Sequence, residues 1–300
     1  MKAASGVITR QQVQPRTNGT LLAALGVAAF SLSFPGTVWA LEGFGPWSTA
    51  GIRGVIAAAI ALVALLWTRA PLPARSDGVA LAVVALGCGI GFPLLTTLAL
   101  QTSSTAHSAV VIGVLPMTTA MISALLTRRS PSKVFWAAAG TGALAVIAFT
   151  LAQNQGQPTV GDLYLFGALL VCAAGYAEGG RLAAHLPGWQ VIAWGVVLAA
   201  PVNLAVSVWA VPQEPVHLTA KAVLGMAYIA AVSQFGAFVL WYQGMGRIGV
   251  PRASQLQLVQ PLLTLVWAVL LLGEELSPAA PLTGVVVLAC IIVTQRARAS

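Results

Sequence analysis

The ten residues His107-Ser108-Ala109-Val110-Val111-Ile112-Gly113-Val114-Leu115-Pro116 open an apolar run that continues to Leu126. The ten residues Arg252-Ala253-Ser254-Gln255-Leu256-Gln257-Leu258-Val259-Gln260-Pro261 open a second run that continues to Leu271. Laid side by side, the two runs place Pro116 and Pro261 in register, 145 positions apart. Working outward, Gly19 matches Gly161 and Trp47 matches Trp189 at a spacing of 142, with Phe34 opposite Tyr176. The chain is therefore read as a duplication, with about five apolar segments in each half. An odd number of spans reverses the direction of entry, so the second copy stands inverted in a membrane. Inverted repeats of this kind mark secondary transporters, which expose one central site alternately to the two sides.

Composition places the chain in a bilayer. Charged residues are 7% of it and apolar ones 58%, with a mean hydropathy of +0.87. Soluble domains carry roughly a quarter charged residues. The spans are read at 19–40, 47–67, 78–100, 106–126, 134–152, 162–181, 188–210, 220–243, 253–273 and 278–295. Each can cross a hydrocarbon core about 30 Å thick at about 1.5 Å per residue. The expectation is an all-α membrane protein of ten transmembrane helices in two inverted five-helix repeats. The repeats cover 19–152 and 161–295, between an N-terminal segment 1–18 and a C-terminal segment 296–300.

The net charge of +8 does not point to nucleic acid, because its distribution follows the loops. Lys2, Arg10, Arg16, Arg69, Arg75, Arg128, Arg129, Lys133, Arg181, Arg247, Arg252, Arg296 and Arg298, 13 of the 15 basic residues, fall on one side. Glu42, Asp162, Glu214, Glu274 and Glu275 fall on the other. By the positive-inside bias both termini are cytoplasmic. The first apolar stretch is too long for a signal peptide and partners the sixth span, so it is read as a span despite Val38-Trp39-Ala40. Cys88, Cys172 and Cys290 lie within spans without metal-ligand spacing and are read as packing residues; no cofactor and no metal site are expected.

Proline interrupts spans one (Pro35), three (Pro93), four (Pro116), seven (Pro201) and nine (Pro261). Each removes a helix hydrogen bond. Span six is loosened by Gly175 and Gly179-Gly180 instead. The symmetric pair Pro116 and Pro261, with Pro35 and Gly179, are the candidate hinges. Small residues crowd spans two, five and ten (Gly51, Gly54 and Ala58; Gly140 with Gly142; Gly284 with Ala289), for packing within the chain or, alternatively, a homodimer contact.

Polar groups in hydrocarbon face a bundle interior or a wet cavity. Span one offers Ser31, Ser33 and Thr37, span three Thr96 and Thr97, span eight Ser233 and Gln234, and span nine Gln257 and Gln260. Gln234, Phe238 and Trp241 stand at i, i+4 and i+7, one helical face that suits a ligand with a flat ring. Trp241 and Tyr242 also fit interfacial anchors. Glu178 is read as the acid inside a span. It is either a partner for a substrate ammonium or coupling proton, or an ion pair with Arg181 one turn on. Arg53 either holds a substrate carboxylate or reaches the interface and the acidic loops. His107 is either a titrating switch or a satisfied helix end.

There is no G-x-x-x-x-G-K-[ST] loop for ATP-driven pumping, no HExxH, no GxSxG and no paired intramembrane Asp, so no enzyme is expected.

The stretch from Trp241-Tyr242-Gln243-Gly244 through Gly249-Val250-Pro251-Arg252-Ala253-Ser254 to Pro261, followed by Leu272-Gly273-Glu274-Glu275-Leu276-Ser277 and Gly284, resembles the drug/metabolite transporter superfamily in its EamA type. The first half keeps Pro116 and Gly140, but Arg128-Arg129 stands where Gly273-Glu274 stands in the second. Within that family the chain looks most like the YddG-type aromatic amino-acid exporters of bacterial inner membranes. The resemblance implies ten helices and a central cavity lined by spans one, three, four, six, eight and nine, with five and ten peripheral. It carries a cavity-facing role to Phe92, Thr96, His107, Val111 and Tyr176. Together with Ser33, Gln234, Phe238 and Trp241 these form the expected substrate site. The expected substrates are aromatic or hydrophobic amino acids, exported by alternating access with or without proton coupling. The alternative is another small metabolite or drug in the same fold.

Overall fold

The computed structural model describes residues 16–126, 132–153, 159–248 and 256–298. Eight helical stretches are long and apolar enough to cross a membrane: α1 Asn18–Leu41, α2 Pro46–Trp67, α3 Arg75–Ala99, α4 Thr105–Leu126, α5 Lys133–Ala152, α6 Val160–Leu182, α7 Gly188–Ala210 and α8 Ala220–Met245. Two shorter apolar helices follow, α9 Val259–Leu272 and α10 Ala279–Val293. The start of the expected ninth span, the motif residues Gly249 to Ser254, Gln255 and the Arg128-Arg129 pair lie outside the described residues. Among the described residues there is no β-strand, only an isolated antiparallel bridge between Phe44 and Val216.

Helix starts follow local chemistry. Pro46 sits in the first turn of α2, where its missing N–H costs nothing. Ser104 caps α4 by accepting the His107 N–H at 3.1 Å. Thr159 and Asp162 form a capping box on α6. Thr219 caps α8 through the Ala222 N–H.

The helices pack as α1 on α8, α2 on α7, α3 and α4 on α6, and α5 on α10. Glycine sets the closest approaches. A Cβ on Gly244 would lie 2.5 Å from the Ala23 backbone nitrogen, and one on Gly26 would lie 3.0 Å from Ala237 O and the Trp241 nitrogen. Gly51 and Gly54 make room for Ser207 and Asn203 of α7, and Gly142 for Cys290 and Met117. Packing within the chain thus accounts for Gly51, Gly54 and Gly142, whereas a Cβ on Gly140 would meet open space. Because Gly244 meets backbone that cannot rotate away, Gly244→Ala is expected to cost about 1–3 kcal/mol of stability. Thermal unfolding in detergent checks this; an unchanged midpoint would refute the close α1–α8 contact.

The helices are interrupted just before Pro35, Pro116 and Pro261, whereas α7 runs continuously through Pro201; the carbonyls freed by Pro35 and Pro93 find partners. Pro35 cannot bond Ser31 O, four residues back; that oxygen accepts the Thr264 hydroxyl at 3.0 Å, while Ser31 Oγ accepts the Trp267 indole N–H at 2.9 Å. Pro93 likewise frees Gly89 O, which accepts the Asn203 amide at 3.2 Å. Two corresponding segments, Ala85–Gly91 of α3 and Tyr228–Gly236 of α8, widen into π-helix. They meet: the Gln234 amide donates to Cys88 O at 2.9 Å. Side chains from other helices thus satisfy backbone groups that a broken helix would leave bare in lipid. Cys88, Cys172 and Cys290 are free thiols, all buried.

Candidate functional site

The two register prolines face one another. Pro116 of α4 and Pro261 of α9 line one cleft with Phe34 of α1, Gly113, Gln257, Gln260 and Thr264. Its volume is about 20 Å³, room for about one water. At that size the cleft does not hold an amino acid.

Beside the cleft lies an aromatic cluster. The Phe238 ring meets Phe30 edge-on at 4.8 Å and Tyr176 edge-on at 5.8 Å, and stacks with Tyr242 at 6.0 Å. These are preferred aromatic geometries. The Tyr176 phenol interacts with the Gln257 side chain, joining the cluster to the cleft. Flat apolar surface on α1, α6 and α8 therefore adjoins amide and hydroxyl groups on α9.

The expected site residues divide. Tyr176 and Phe238 come together. Ser33 Oγ lies 2.7 Å from Ser233 Oγ and ties α1 to α8. Phe92 is half-buried, packing on the main core, and Val111 is fully buried in it. Thr96 is buried with its hydroxyl donating back to Phe92 O at 2.7 Å. Gln234 is committed to Cys88 O. Trp241 and Tyr242 are buried, not interfacial, with the Trp241 backbone against Gly26. A Cβ on Gly179 would collide with the Tyr242 hydroxyl, so that glycine makes room for the cluster. Phe30 was not among the expected residues; nothing but apolar periodicity marks it.

The sequence model of the EamA-like transporter family matches residues 17–151 and, a second time, residues 159–295. The chain belongs to this family. A relative from Bacillus subtilis (strain 168), described as the uncharacterized transporter YdeK, is 39% identical over 280 residues, 93% of this chain and 98% of that protein. An uncharacterized transporter of Haemophilus influenzae (strain ATCC 51907 / DSM 11121 / KW20 / Rd) is 26% identical over 145 residues, 46% of this chain and 85% of its own length. A solved crystal structure superposes with a TM-score of 0.64 at 18% identity, covering 93% of this chain and 99% of that one, a likeness of fold. The protein is thus a multi-pass membrane transporter of the EamA-like family.

The Gly-Glu pair of this EamA-type chain has a physical role. Gly273 ends α9 in the left-handed conformation at φ 67°, with the Gly273 and Glu274 N–H groups closing on Val269 O and Ala268 O. That turn aims Glu274 at another helix. Its carboxylate accepts the Thr105 N–H at 2.8 Å and the Ala106 N–H at 2.9 Å, at the start of α4. Glu214 does the same for α2, accepting Ser48 N–H at 2.7 Å and Trp47 N–H at 3.1 Å. An anion at a helix N-terminus meets unsatisfied N–H groups and the positive end of the dipole.

Next to the Glu274 cap, His107 Nε2 lies 2.6 Å from Asp162 Oδ1, and the imidazole stacks on Phe149 at 5.3 Å. Asp162 was expected on the outer side, at the very start of span six, with Glu178 as the acid inside a span. The structure instead buries Asp162 completely in the first turn of α6. Glu178 forms its ion pair with Arg181 at 2.7 Å, in the i, i+3 spacing, with Arg181 largely exposed. No group of three or more His, Cys, Asp or Glu among the described residues forms a metal-binding set.

Proposed function

We propose that this EamA-family transporter exports aromatic and other hydrophobic amino acids by alternating access. The observation that carries the reading is the Tyr176–Phe238 aromatic cluster beside the Gln257, Gln260 and Thr264 groups of the Pro116–Pro261 cleft. The aromatic rings supply a face for a substrate side chain, and the amides and hydroxyl supply partners for its polar end. Ten spans in two inverted repeats, with the basic connections cytoplasmic, complete the reading as a YddG-type inner-membrane exporter. Motion occurs at Pro35, Pro116, Pro261 and Gly179, where the helices lack regular hydrogen bonding or bulk. The Glu178–Arg181 pair is structural and carries no coupling ion.

Tyr176→Ala and Phe238→Ala are expected to lower the rate of labelled phenylalanine transport by about two- to tenfold, given about 0.5–1.5 kcal/mol per aromatic pair beyond its buried area. Protein yield and monodispersity should be retained. Full transport by both variants would refute this placement of the site. Competition by tryptophan and tyrosine, but not by purines or hydrophobic drugs, separates amino-acid export from transport of another solute.

A further inference from the structure

Arg53 is 3% exposed, in the third turn of α2, about 10 Å beyond the helix start at about 1.5 Å per residue. It forms no ion pair and no hydrogen bond among the described residues, and its Nε is enclosed without a partner. The hydroxyls of Ser48 and Thr49, one turn earlier, are also enclosed and unpartnered. Thr49 and Arg53 share a face at i, i+4. Gly51 and Gly54 give a different face to Ser207 and Asn203 of α7. The other principal neighbours of α2 are the widened segment of α8 and the final turns of α3.

A guanidinium stays charged in protein, and buried charges are normally paired. The chain has seven carboxylates to offer. Glu42 is paired with Lys221, Asp77 with His185, Asp162 with His107 and Glu178 with Arg181. Glu214 and Glu274 cap α2 and α4. Glu275 is exposed on the connection to α10. The side chains of this protein therefore supply no counter-charge to Arg53. Nor does Arg53 pair with the acidic loops, one of the alternatives that its sequence position left open.

We propose that Arg53, with Thr49, binds the carboxylate of the transported solute as the helices open. This rests on the reading of that solute as an amino acid. The fork of a guanidinium matches a carboxylate in two parallel hydrogen bonds, and the Thr49 hydroxyl adds a donor beside it. The solute's carboxylate would then be read by α2.

The test uses the purified full chain in detergent. Thermal unfolding is followed by intrinsic fluorescence at constant ionic strength, with sodium chloride, acetate, 3-phenylpropionate or phenethylammonium chloride. The wild type should be stabilised by acetate and more strongly by 3-phenylpropionate, relative to chloride. Arg53→Gln should weaken the 3-phenylpropionate response at least about tenfold in concentration while leaving any response to phenethylammonium in place. Arg53→Lys keeps the charge without the fork and should fall between, and serves also if Arg53→Gln does not fold. An undiminished carboxylate response in both variants would overturn the proposal. So would equal stabilisation by chloride and acetate, which marks an inorganic-anion site, or no response of the wild type. An Arg53-dependent response to acetate without preference for 3-phenylpropionate keeps the carboxylate site and removes the aromatic reading.

Discussion

Asp162→Ala is expected to destabilise the protein by about 1–3 kcal/mol, the cost of leaving a buried hydrogen-bonding partner unsatisfied. The carboxylate is wholly enclosed and serves two helices. Its Oδ1 meets His107 of α4 at 2.6 Å, and its Oδ2 accepts the Thr159 N–H at 2.7 Å and the Thr159 hydroxyl at 2.8 Å. Alanine leaves His107 buried without its partner and removes half of the capping box on α6. Asp162→Asn keeps an acceptor but loses the charge, so its cost should be smaller. Denaturation of the purified variants gives the ranking directly. Asp162→Ala behaving like a surface change such as Lys221→Ala would contradict the pair's role.

Glu274→Ala carries the largest expected effect on transport. Two hydrogen bonds from backbone N–H groups to a charged acceptor, at about 1.5–3 kcal/mol each, hold the connection after α9 to the start of α4. These are the two helices whose prolines form the cleft. Losing the carboxylate removes that tie at one end of the pair. Net flux should fall at least about tenfold, because a latch of this strength biases a two-state equilibrium by more than tenfold. Thiol labelling at an introduced Thr102→Cys, on the same end of the bundle, should rise. Glu274→Gln keeps one acceptor oxygen and should be milder. Flux and labelling both at wild-type levels would show that the cap does not govern opening.

Much of this arrangement was legible in the sequence because it depends on local pattern. Apolar length marked the eight long spans within a few residues, and α7 was expected at the residues where it stands. Equal spacing of Pro116 and Pro261 singled out a pair that shares one cleft. The i, i+3 spacing of Glu178 and Arg181 was enough for their ion pair. What could not be read depends on partners far along the chain. His107 and Asp162 are separated by 55 positions and Glu274 from its cap by nearly 170, so neither leaves a periodic signal. Acidic residues were assigned only to one side of the membrane, yet Asp162, Glu214 and Glu274 each cap a helix. Gln234 was placed on a ligand face by 3.6-residue periodicity, but its segment is π-helical and its amide serves Cys88 O. Arg53 was ambiguous for the same reason: only the full account of the carboxylates leaves it without a partner.

We propose that this chain alone transports an aromatic amino acid. The most direct measurement is efflux of labelled phenylalanine from proteoliposomes holding only the purified protein, with and without an imposed pH gradient. Efflux above that of empty liposomes is expected in the absence of the gradient, competed by tryptophan and tyrosine and slowed by Tyr176→Ala. No efflux under either condition, from protein shown to be folded and inserted, would contradict it.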